Sequence, residues 1–339
     1  MVPNPHDALF KAVLGQLEHA RGVLHAIVPA QAAEALDWST LARCPGSFVD
    51  PALSERHTDL LFAARWRDGS ESFVYLLFEH QSSLGDGLMA RRLLRYQDRI
   101  WDRWAAEHPG AKTLPAILSV VMYHGVLAWS EPRSFEALLD LPSGLQPTLE
   151  PYLVRFSYIL HDLSEISDEE LHDRVTMTAL ARLVELCFKH ARTDPDFLRT
   201  LGEWIDVIRD IAAAPSGLAA LALVMSYILN VNEQVKRDEL QALLEGAIGP
   251  EAKEIIVTAG QQIHEEGRQQ GIEQGIQQGI QQGIQQGIQK VLLGLLRARF
   301  GDEVTGQVEQ RIATARAEQL EAWSLRVHAA ASLDELFAG

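Results

Sequence analysis

The sequence predicts an α/β core, with a mixed sheet flanked by helices, followed by an all-α region and a helical tail. Three observations predict this order. Two short apolar runs flank one turn signal, which is typical of a β-hairpin. Helical patterns precede and follow those runs, and a third apolar run comes next. From Ser167 onward, apolar residues recur mainly at helical spacing.

A chain of 339 residues is long enough for two or three domains. The changes in pattern divide it into four segments. The expected segments are 1–165 for the α/β core, 166–262 for a helical extension, 263–289 for a Gly-Ile-Gln repeat and 290–339 for a terminal helical module.

The first predicted element is a helix that begins at Asn4-Pro5. Asparagine suits the N-cap, and proline suits the first helical position because its missing N–H would have no partner there. Apolar residues then follow at helical spacing as far as Ile27. The pattern therefore predicts helix between residues 5 and 27.

The next predicted element is a hairpin built from the runs 58–66 and 73–81, with its turn signal at 67–71. In both runs, apolar residues face both sides of the predicted sheet. A sheet that is apolar on both faces is covered on both sides, so we expect helices above and below it.

Asp59 and Glu79 are equidistant from Gly69 in the hairpin. An odd-length loop would place them opposite each other on one face, with Cβ atoms about 5 Å apart. A two-residue Asp68-Gly69 turn would send them to opposite faces. The local sequence leaves both turns open. Two facing carboxylates repel unless a cation lies between them, and a hard divalent cation with oxygen ligands fits that need.

A second helix is predicted after Asp86-Gly87, and further strands are predicted at 115–123 and 152–160. The second helix carries an arginine stripe at every fourth residue. This stripe is either a phosphate-binding surface or a solvated face paired in part with neighbouring acids, and the sequence leaves both open. Its members are Arg91, Arg95 and Arg99.

Several short stretches recur in an order that resembles a known family. They are His6–Lys11, Thr58–Leu61, Phe78–Ser83, Met89–Tyr96 and Val121–Gly125. Together they resemble the PD-(D/E)xK nuclease superfamily and, more narrowly, the Rpn family of recombination-promoting nucleases, which are also labelled "putative transposases". This resemblance implies a restriction-endonuclease-like core and Mg²⁺-dependent (or Mn²⁺-dependent) hydrolysis of DNA.

The resemblance also implies roles for individual residues. Asp59 and Glu79 would bind the metal, helped by a backbone carbonyl near His80, and Asp7 would fill an acidic position on the first helix. The superfamily usually has lysine where this chain has Gln81, and a neutral amide can only donate and accept hydrogen bonds. Lys11 is a candidate source of the missing charge, although a single helix lysine is more often solvated.

Composition restricts the possible functions and compartments. The net charge of −16 excludes a protein that coats nucleic acid through bulk charge. Cys44 and Cys187 are too few and too distant for a disulfide framework or a zinc site, which fits a reducing cytoplasm. No signal peptide or membrane span is expected from the pattern.

Glycine recurs every four residues from Gly267 to Gly287, and an isoleucine follows each of the last five glycines. Each glycine disfavours a helix by about 1 kcal/mol relative to alanine, so six cost roughly 6 kcal/mol. The repeat is therefore either a helix that needs a partner or a flexible linker, and both interpretations stay open.

The segment from Val291 to Phe337 returns to ordinary helical spacing. About residues 290–337 resemble a small helical module called DUF4351, which is often attached to Rpn-like nucleases. We interpret it as a helical hairpin for self-association.

The sequence thus predicts a cytoplasmic, metal-dependent deoxyribonuclease that binds DNA and forms a homo-oligomer through its repeat and tail. The alternative is a weakly active or inactive nuclease fold that acts as a scaffold through self-association and partner binding.

Overall fold

The structure, a computed structural model, describes residues 4–44, 59–68, 73–81, 85–142 and 144–337. These residues form two compact units, residues 3–264 and residues 265–339. Both cysteines are free thiols. None of the helices in the described part of the chain combines the length and apolar character that a membrane crossing requires.

The described residues contain one five-stranded sheet with strand order β1-β2-β3-β4-β5. β1, β2 and β3 are antiparallel neighbours, whereas β3, β4 and β5 are parallel neighbours. The sheet is therefore mixed, as predicted. The strands are β1 (Leu36–Arg43), β2 (Asp59–Trp66), β3 (Phe73–Gln81), β4 (Ala116–Tyr123) and β5 (Ile159–Asp162).

The helices of the first unit lie before, between and after the strands. They are α1 (Pro5–Leu14), α2 (Leu17–Ile27), α3 (Ala30–Ala35), α4 (Met89–Glu107), α5 (Gln146–Leu149), α6 (Asp168–His172), α7 (Ala179–His190), α8 (Phe197–Gly202), α9 (Ile205–Ala213), α10 (Gly217–Val231) and α11 (Arg237–Ile248). Helix α12 (Ala252–Phe300) begins in the first unit and continues into the second. The second unit also contains α13 (Gly306–Thr314), α14 (Ala317–Arg326) and α15 (Leu333–Phe337).

The predicted first helix is interrupted at Gly15. Asn4 caps α1 as expected, because its side-chain oxygen accepts from the backbone N–H of His6. The chain leaves the helix at Gly15 and starts α2 at Leu17. A Cβ at Gly15 would collide with the Lys11 carbonyl oxygen and the Arg43 guanidinium. The turn of the chain back against the Lys11 carbonyl therefore requires a residue without a side chain here.

Two other expectations are corrected by the structure. β1 was not predicted from the sequence, and its register shifts between Asp37 and Ala42, which interrupts the alternation of side chains. The predicted strand 152–160 begins only at Ile159, because the chain around Glu150–Tyr152 forms a 3₁₀ turn instead. The short β5 still joins the sheet beside β4, as predicted.

Helices cover both faces of the sheet. The even-numbered face carries Leu60, Phe62 and Met122, which share one core with α1, α2, α7, α10 and the start of α12. The odd-numbered face carries Leu61 and Val121, which pack against the buried side of α4. The helical extension therefore shares the core of the sheet.

The glycine repeat is helical, because residues 267–289 lie within α12. The structure thus agrees with the helical interpretation of the repeat. The helix ends at Phe300, and Gly301 follows with φ of 53°, in the left-handed region. Leu292 and Leu296 of α12 pack with Leu320 and Trp323 of α14 in the core of the second unit. The resemblance of this unit to DUF4351 stays a prediction.

Candidate functional site

Asp59 and Glu79 are directly paired across β2 and β3. The same register pairs Leu61 with Leu77 and Arg65 with Phe73. This is the register expected for an odd-length loop, and it excludes the two-residue Asp68-Gly69 turn. Residues 69–72 of the loop lie outside the described residues. Directly opposed positions share a face of the sheet, so both acids occupy the face covered by α4.

The register extends from these acids across the parallel half of the sheet. Gln81 pairs with Tyr123, and Tyr123 pairs with Asp162. These positions follow the Asp59–Glu79 pair at the same end of the sheet, and they lie on the same face. His80 belongs to the opposite face, which does not affect a role for its backbone carbonyl. The side chains of Asp59 and of residues 73–81 lie outside what the structure describes.

Tyr123 and Asp162 form a buried polar pair beside the Gln81 position. The Tyr123 hydroxyl donates to the Leu127 carbonyl at 2.6 Å. Burial raises the pKa of Tyr123, and the nearby Asp162 carboxylate raises it further, so the phenol is neutral at neutral pH. Asp162 Oδ1 accepts from the backbone N–H of Ser164 at 3.0 Å. The sequence favours a surface pair for His161-Asp162, and this is wrong, because both side chains are buried.

Helix α1 brings Asp7 to the same end of the sheet from the opposite face. The His6 ring lies 4.9 Å from the ring of His124, which directly follows β4. At the other end of α1, the Gly15 carbonyl accepts from Nη1 of Arg43, the last residue of β1, at 3.4 Å. Asp7 is half-buried and Lys11 is exposed one turn later. The structure thus groups the Asp7 position with the strand ends that carry Asp59 and Glu79.

The arginine stripe lies on the solvent side of α4. Arg91, Arg95 and Arg99 are all exposed. A helix rises about 1.5 Å per residue, so Arg99 lies about 12 Å further along α4 than Arg91. Arg99 also faces Asp102 at 3.9 Å, which agrees in part with the solvated interpretation.

Glu131, which sequence analysis also missed, fixes the start of α4 next to the site. Its carboxylate is buried and accepts from the backbone N–H groups of Gly85 at 2.7 Å and Met89 at 3.2 Å. These amides flank the start of α4, where the helix dipole favours a negative charge. Glu131 therefore connects the segment after β4 to the segment between β3 and α4.

Glu131→Gln should lower the free energy of unfolding by about 1–3 kcal/mol, because the new amide NH₂ must face one of the two backbone donors. Urea denaturation followed by circular dichroism measures this loss. Glu150→Gln is the control, because Glu150 is an exposed partner of Arg155 at 2.6 Å. An unchanged unfolding midpoint for Glu131→Gln would contradict the proposed anchoring.

The described side chains contain no group of three His, Cys, Asp or Glu residues that could hold a metal ion. The side chains of Asp59 and Glu79 are not among the described ones. Their paired positions nevertheless offer two carboxylates on one face, and carboxylate oxygens are the ligands that Mg²⁺ and Mn²⁺ prefer. The donor chemistry at this end of the sheet therefore fits a hard divalent cation.

Comparison with known proteins gives a consistent family relationship. Residues 4–218 match the family described as "Putative transposase, YhgA-like". Recombination-promoting nuclease RpnD of Escherichia coli O157:H7 is 30% identical over 268 residues, which cover 78% of this chain and 95% of RpnD. Recombination-promoting nuclease RpnA of Escherichia coli K12 is 29% identical over 267 residues, with coverages of 78% and 85%.

A further relative carries a different description. The "Inactive recombination-promoting nuclease-like protein RpnE" of Escherichia coli K12 is 27% identical over 270 residues, which cover 78% of this chain and 83% of RpnE. No solved structure matches this chain. Because the family match spans more than half of the sequence and RpnD aligns over nearly its whole length, this chain belongs to the YhgA-like family, together with the Rpn recombination-promoting nucleases.

Proposed function

We propose that this protein hydrolyses phosphodiester bonds in DNA with a divalent metal ion, Mg²⁺ or Mn²⁺, held by Asp59 and Glu79. The observation that carries the proposal is the direct pairing of these two positions across β2 and β3. The relatives named recombination-promoting nucleases support the same reaction class. The mixed sheet with helices on both faces agrees with a PD-(D/E)xK core, which we include in the proposal.

Each residue of the site has a distinct proposed role. Asp59 and Glu79 supply carboxylate oxygens, and the backbone carbonyl near His80 supplies a further oxygen. Mg²⁺ held by these oxygens would polarise the scissile phosphate and lower the pKa of a water molecule. The Gln81 amide donates to a phosphate oxygen or accepts from the attacking water.

Helix α1 contributes the remaining groups of the proposed site. Asp7 contributes a second acidic position at the strand ends. Lys11 is exposed one turn further along the helix and brings a positive charge toward the phosphates. This charge would compensate for the neutral Gln81.

DNA is expected to approach along α4. The exposed Arg91, Arg95 and Arg99 offer positive charge on a chain whose net charge is −16. Binding through a few arginines is expected to weaken only modestly as salt increases, because few counterions are released from the DNA and salt also screens the repulsion from the rest of the protein.

Cleavage of supercoiled plasmid and of a labelled oligonucleotide tests the proposed reaction. We expect products with Mg²⁺ or Mn²⁺ and none with EDTA, and readdition of Mg²⁺ after EDTA should restore cleavage. Ca²⁺ should occupy the carboxylates while supporting little cleavage. Equal cleavage by the wild type and by Asp59→Ala prepared in parallel would indicate a contaminating nuclease and defeat the proposal.

A second candidate function is a scaffold that acts through self-association. The relative named inactive and the neutral Gln81 favour this alternative. The second unit also exposes an apolar ridge on α12. It consists of Ile272, Ile276, Ile280 and Ile284, which are between 48% and 59% exposed. A groove of about 640 Å³ continues the ridge between Ile284, Val291 and Leu325.

We propose that a second copy of this chain covers the ridge and groove. The four isoleucines together with Val291 and Leu325 expose roughly 650 Å² per copy, which approaches the ~800 Å² that each partner contributes to a standard interface. The added Cβ positions of Gly271, Gly275 and Gly279 meet no atom of the same chain within 4 Å. A partner helix can therefore approach the backbone of α12 closely. Self-association is compatible with catalysis, so this proposal stands beside the nuclease reaction.

A further inference from the structure

Two separate sequence motifs meet next to the proposed site. His6 precedes Asp7 on α1, and His124 follows Tyr123 at the end of β4. Their rings are 4.9 Å apart between centroids and inclined by 60°. Both side chains are more than nine-tenths buried, since His6 is 7% exposed and His124 is 4% exposed. Neither imidazole can reach DNA directly, so any contribution to the reaction is indirect.

Both imidazoles are held by the helical extension. His6 Nδ1 is 2.8 Å from the hydroxyl of Tyr227 on α10. His124 Nδ1 is 3.2 Å from the carbonyl oxygen of Phe188 on α7. A carbonyl oxygen can only accept, so His124 carries a proton on Nδ1 and donates it to Phe188. We call His6, His124, Phe188 and Tyr227 the histidine clamp.

The aromatic rings of the histidine clamp pack against one another beside these hydrogen bonds. The Phe188 ring stacks on His124 at 4.8 Å and meets Tyr227 edge-on at 5.7 Å. Burial raises the pKa of Tyr227 well above its usual value, so the hydroxyl is neutral and available to His6. Loss of the Tyr227 hydroxyl would remove a hydrogen bond from the buried imidazole of His6. The clamp therefore restricts where the first turn of α1 can lie.

The histidine clamp lies directly beside the proposed catalytic positions. Asp7 is the residue after His6, and Tyr123 before His124 is the register partner of Gln81. A shift of α1 relative to the end of β4 would move Asp7 relative to Gln81 and Glu79. Displacements of about 1 Å at a catalytic group can cost about 100-fold in rate.

We infer that the helical extension completes the active site, because Tyr227 and Phe188 hold His6 and His124 and thereby position Asp7 at the strand ends. Tyr227, His6 and His124 are positioning residues in this scheme, and α7 and α10 are parts of the catalytic unit. The inference rests on the proposed nuclease function for its catalytic consequence, whereas the restraint on α1 can be measured without it.

Tyr227→Phe tests the inference, because it removes the hydroxyl that binds His6 while keeping the aromatic ring. Thr200→Val is the matched control, since it removes another buried hydroxyl of the helical extension, one that donates to Asp194 at 2.9 Å. We expect kcat to fall by about 10-fold or more in Tyr227→Phe, with KM for DNA unchanged within about twofold. Thr200→Val should keep the wild-type kcat even if its thermal midpoint falls as far as that of Tyr227→Phe.

A double-mutant cycle with Asp7→Asn separates positioning from a general loss of structure. If Tyr227 acts through Asp7, Tyr227→Phe should change kcat by less than about twofold in the Asp7→Asn background. If Tyr227→Phe still lowers kcat 10-fold in the Asp7→Asn background, the inference is overturned.

Amide hydrogen exchange of α1 supplies a measurement that does not depend on activity. Exchange across residues 6–10 should be faster in Tyr227→Phe than in the wild type and unchanged in Thr200→Val. Equal exchange in all three proteins would overturn the inference, whatever their activity. If the wild type does not cleave DNA, the proposed nuclease function fails, and the exchange comparison alone decides whether the clamp restrains α1.

Discussion

Asp59→Asn is expected to abolish DNA cleavage while leaving the metal-free protein as stable as the wild type or slightly more stable. Asp59 and Glu79 occupy directly opposed positions of β2 and β3, and two like charges at such positions repel. Asparagine keeps the shape of aspartate and removes one of the charges. Cleavage assays and thermal melts in EDTA measure the two effects on the same preparations.

Mg²⁺ binding should reverse the order of stability of the wild type and Asp59→Asn, so that the wild type becomes the more stable protein. A ligand that binds only the folded state adds about 2.7 kcal/mol when its concentration is 100 times Kd. Mg²⁺ should therefore raise the thermal midpoint of the wild type more than that of Asp59→Asn. Asp302→Asn, which changes the charge equally in the second unit, should respond like the wild type. Equal Mg²⁺ responses in Asp59→Asn and Asp302→Asn would argue against metal binding at this pair.

Deletion of residues 267–339 is expected to yield a smaller oligomer, down to a monomer. The deletion removes the isoleucine ridge and the groove, but it keeps Ile255, Ile256 and Ala259, which belong to the core of the first unit. The truncated protein should therefore remain folded and keep its cleavage activity. Light scattering gives its mass, and an unchanged mass would defeat the role of this segment in self-association.

A four-alanine variant tests the contact more finely. Alanine at 271, 275, 279 and 283 meets no atom of its own chain within 4 Å, so it leaves the single copy undisturbed. It should raise helicity, since each change favours helix by about 1 kcal/mol, yet weaken association by holding two backbones apart. Gly294→Ala in the same helix is the control, because its Cβ position also meets nothing within 4 Å. Identical masses for the wild type and the four-alanine variant would contradict close backbone contact.

The hairpin could be predicted from sequence because two independent signals agreed. Both faces of 59–66 and 73–81 were apolar, and the acids were symmetric about Gly69. β1 lacked such a signal. Its register shift and its polar residues between Asp37 and Thr40 break the alternation on which strand prediction depends. The end of α1 was missed because a single glycine within a run of helical spacing is a weak stop signal; the clash with the Lys11 carbonyl that requires Gly15 is visible only in the structure.

The residues around the proposed site likewise divide into those that a local sequence pattern reveals and those that it does not. Asp59, Glu79 and Gln81 belong to one local motif, so the sequence leaves only two registers open, and the structure has the one that pairs Asp59 with Glu79. His124, Glu131 and Tyr227 acquire a role only through partners on other elements, and no local pattern shows those partners. Single-sequence reasoning can therefore find a pair of candidate catalytic acids, but it cannot find the side chains that restrain the surrounding elements.

The hydrogen bond between His6 and Tyr227 joins residues that are 221 positions apart. At about 5–20 residues per second, the ribosome needs roughly 10–45 s to make the chain between them. During that interval, the first helix exists without the hydroxyl that restrains it, and so long-range a contact forms late in folding. An unfinished chain thus carries both paired carboxylates while Asp7 is still unrestrained. For the proposed nuclease, DNA cleavage is therefore expected to begin only after about two thirds of the protein has been synthesised.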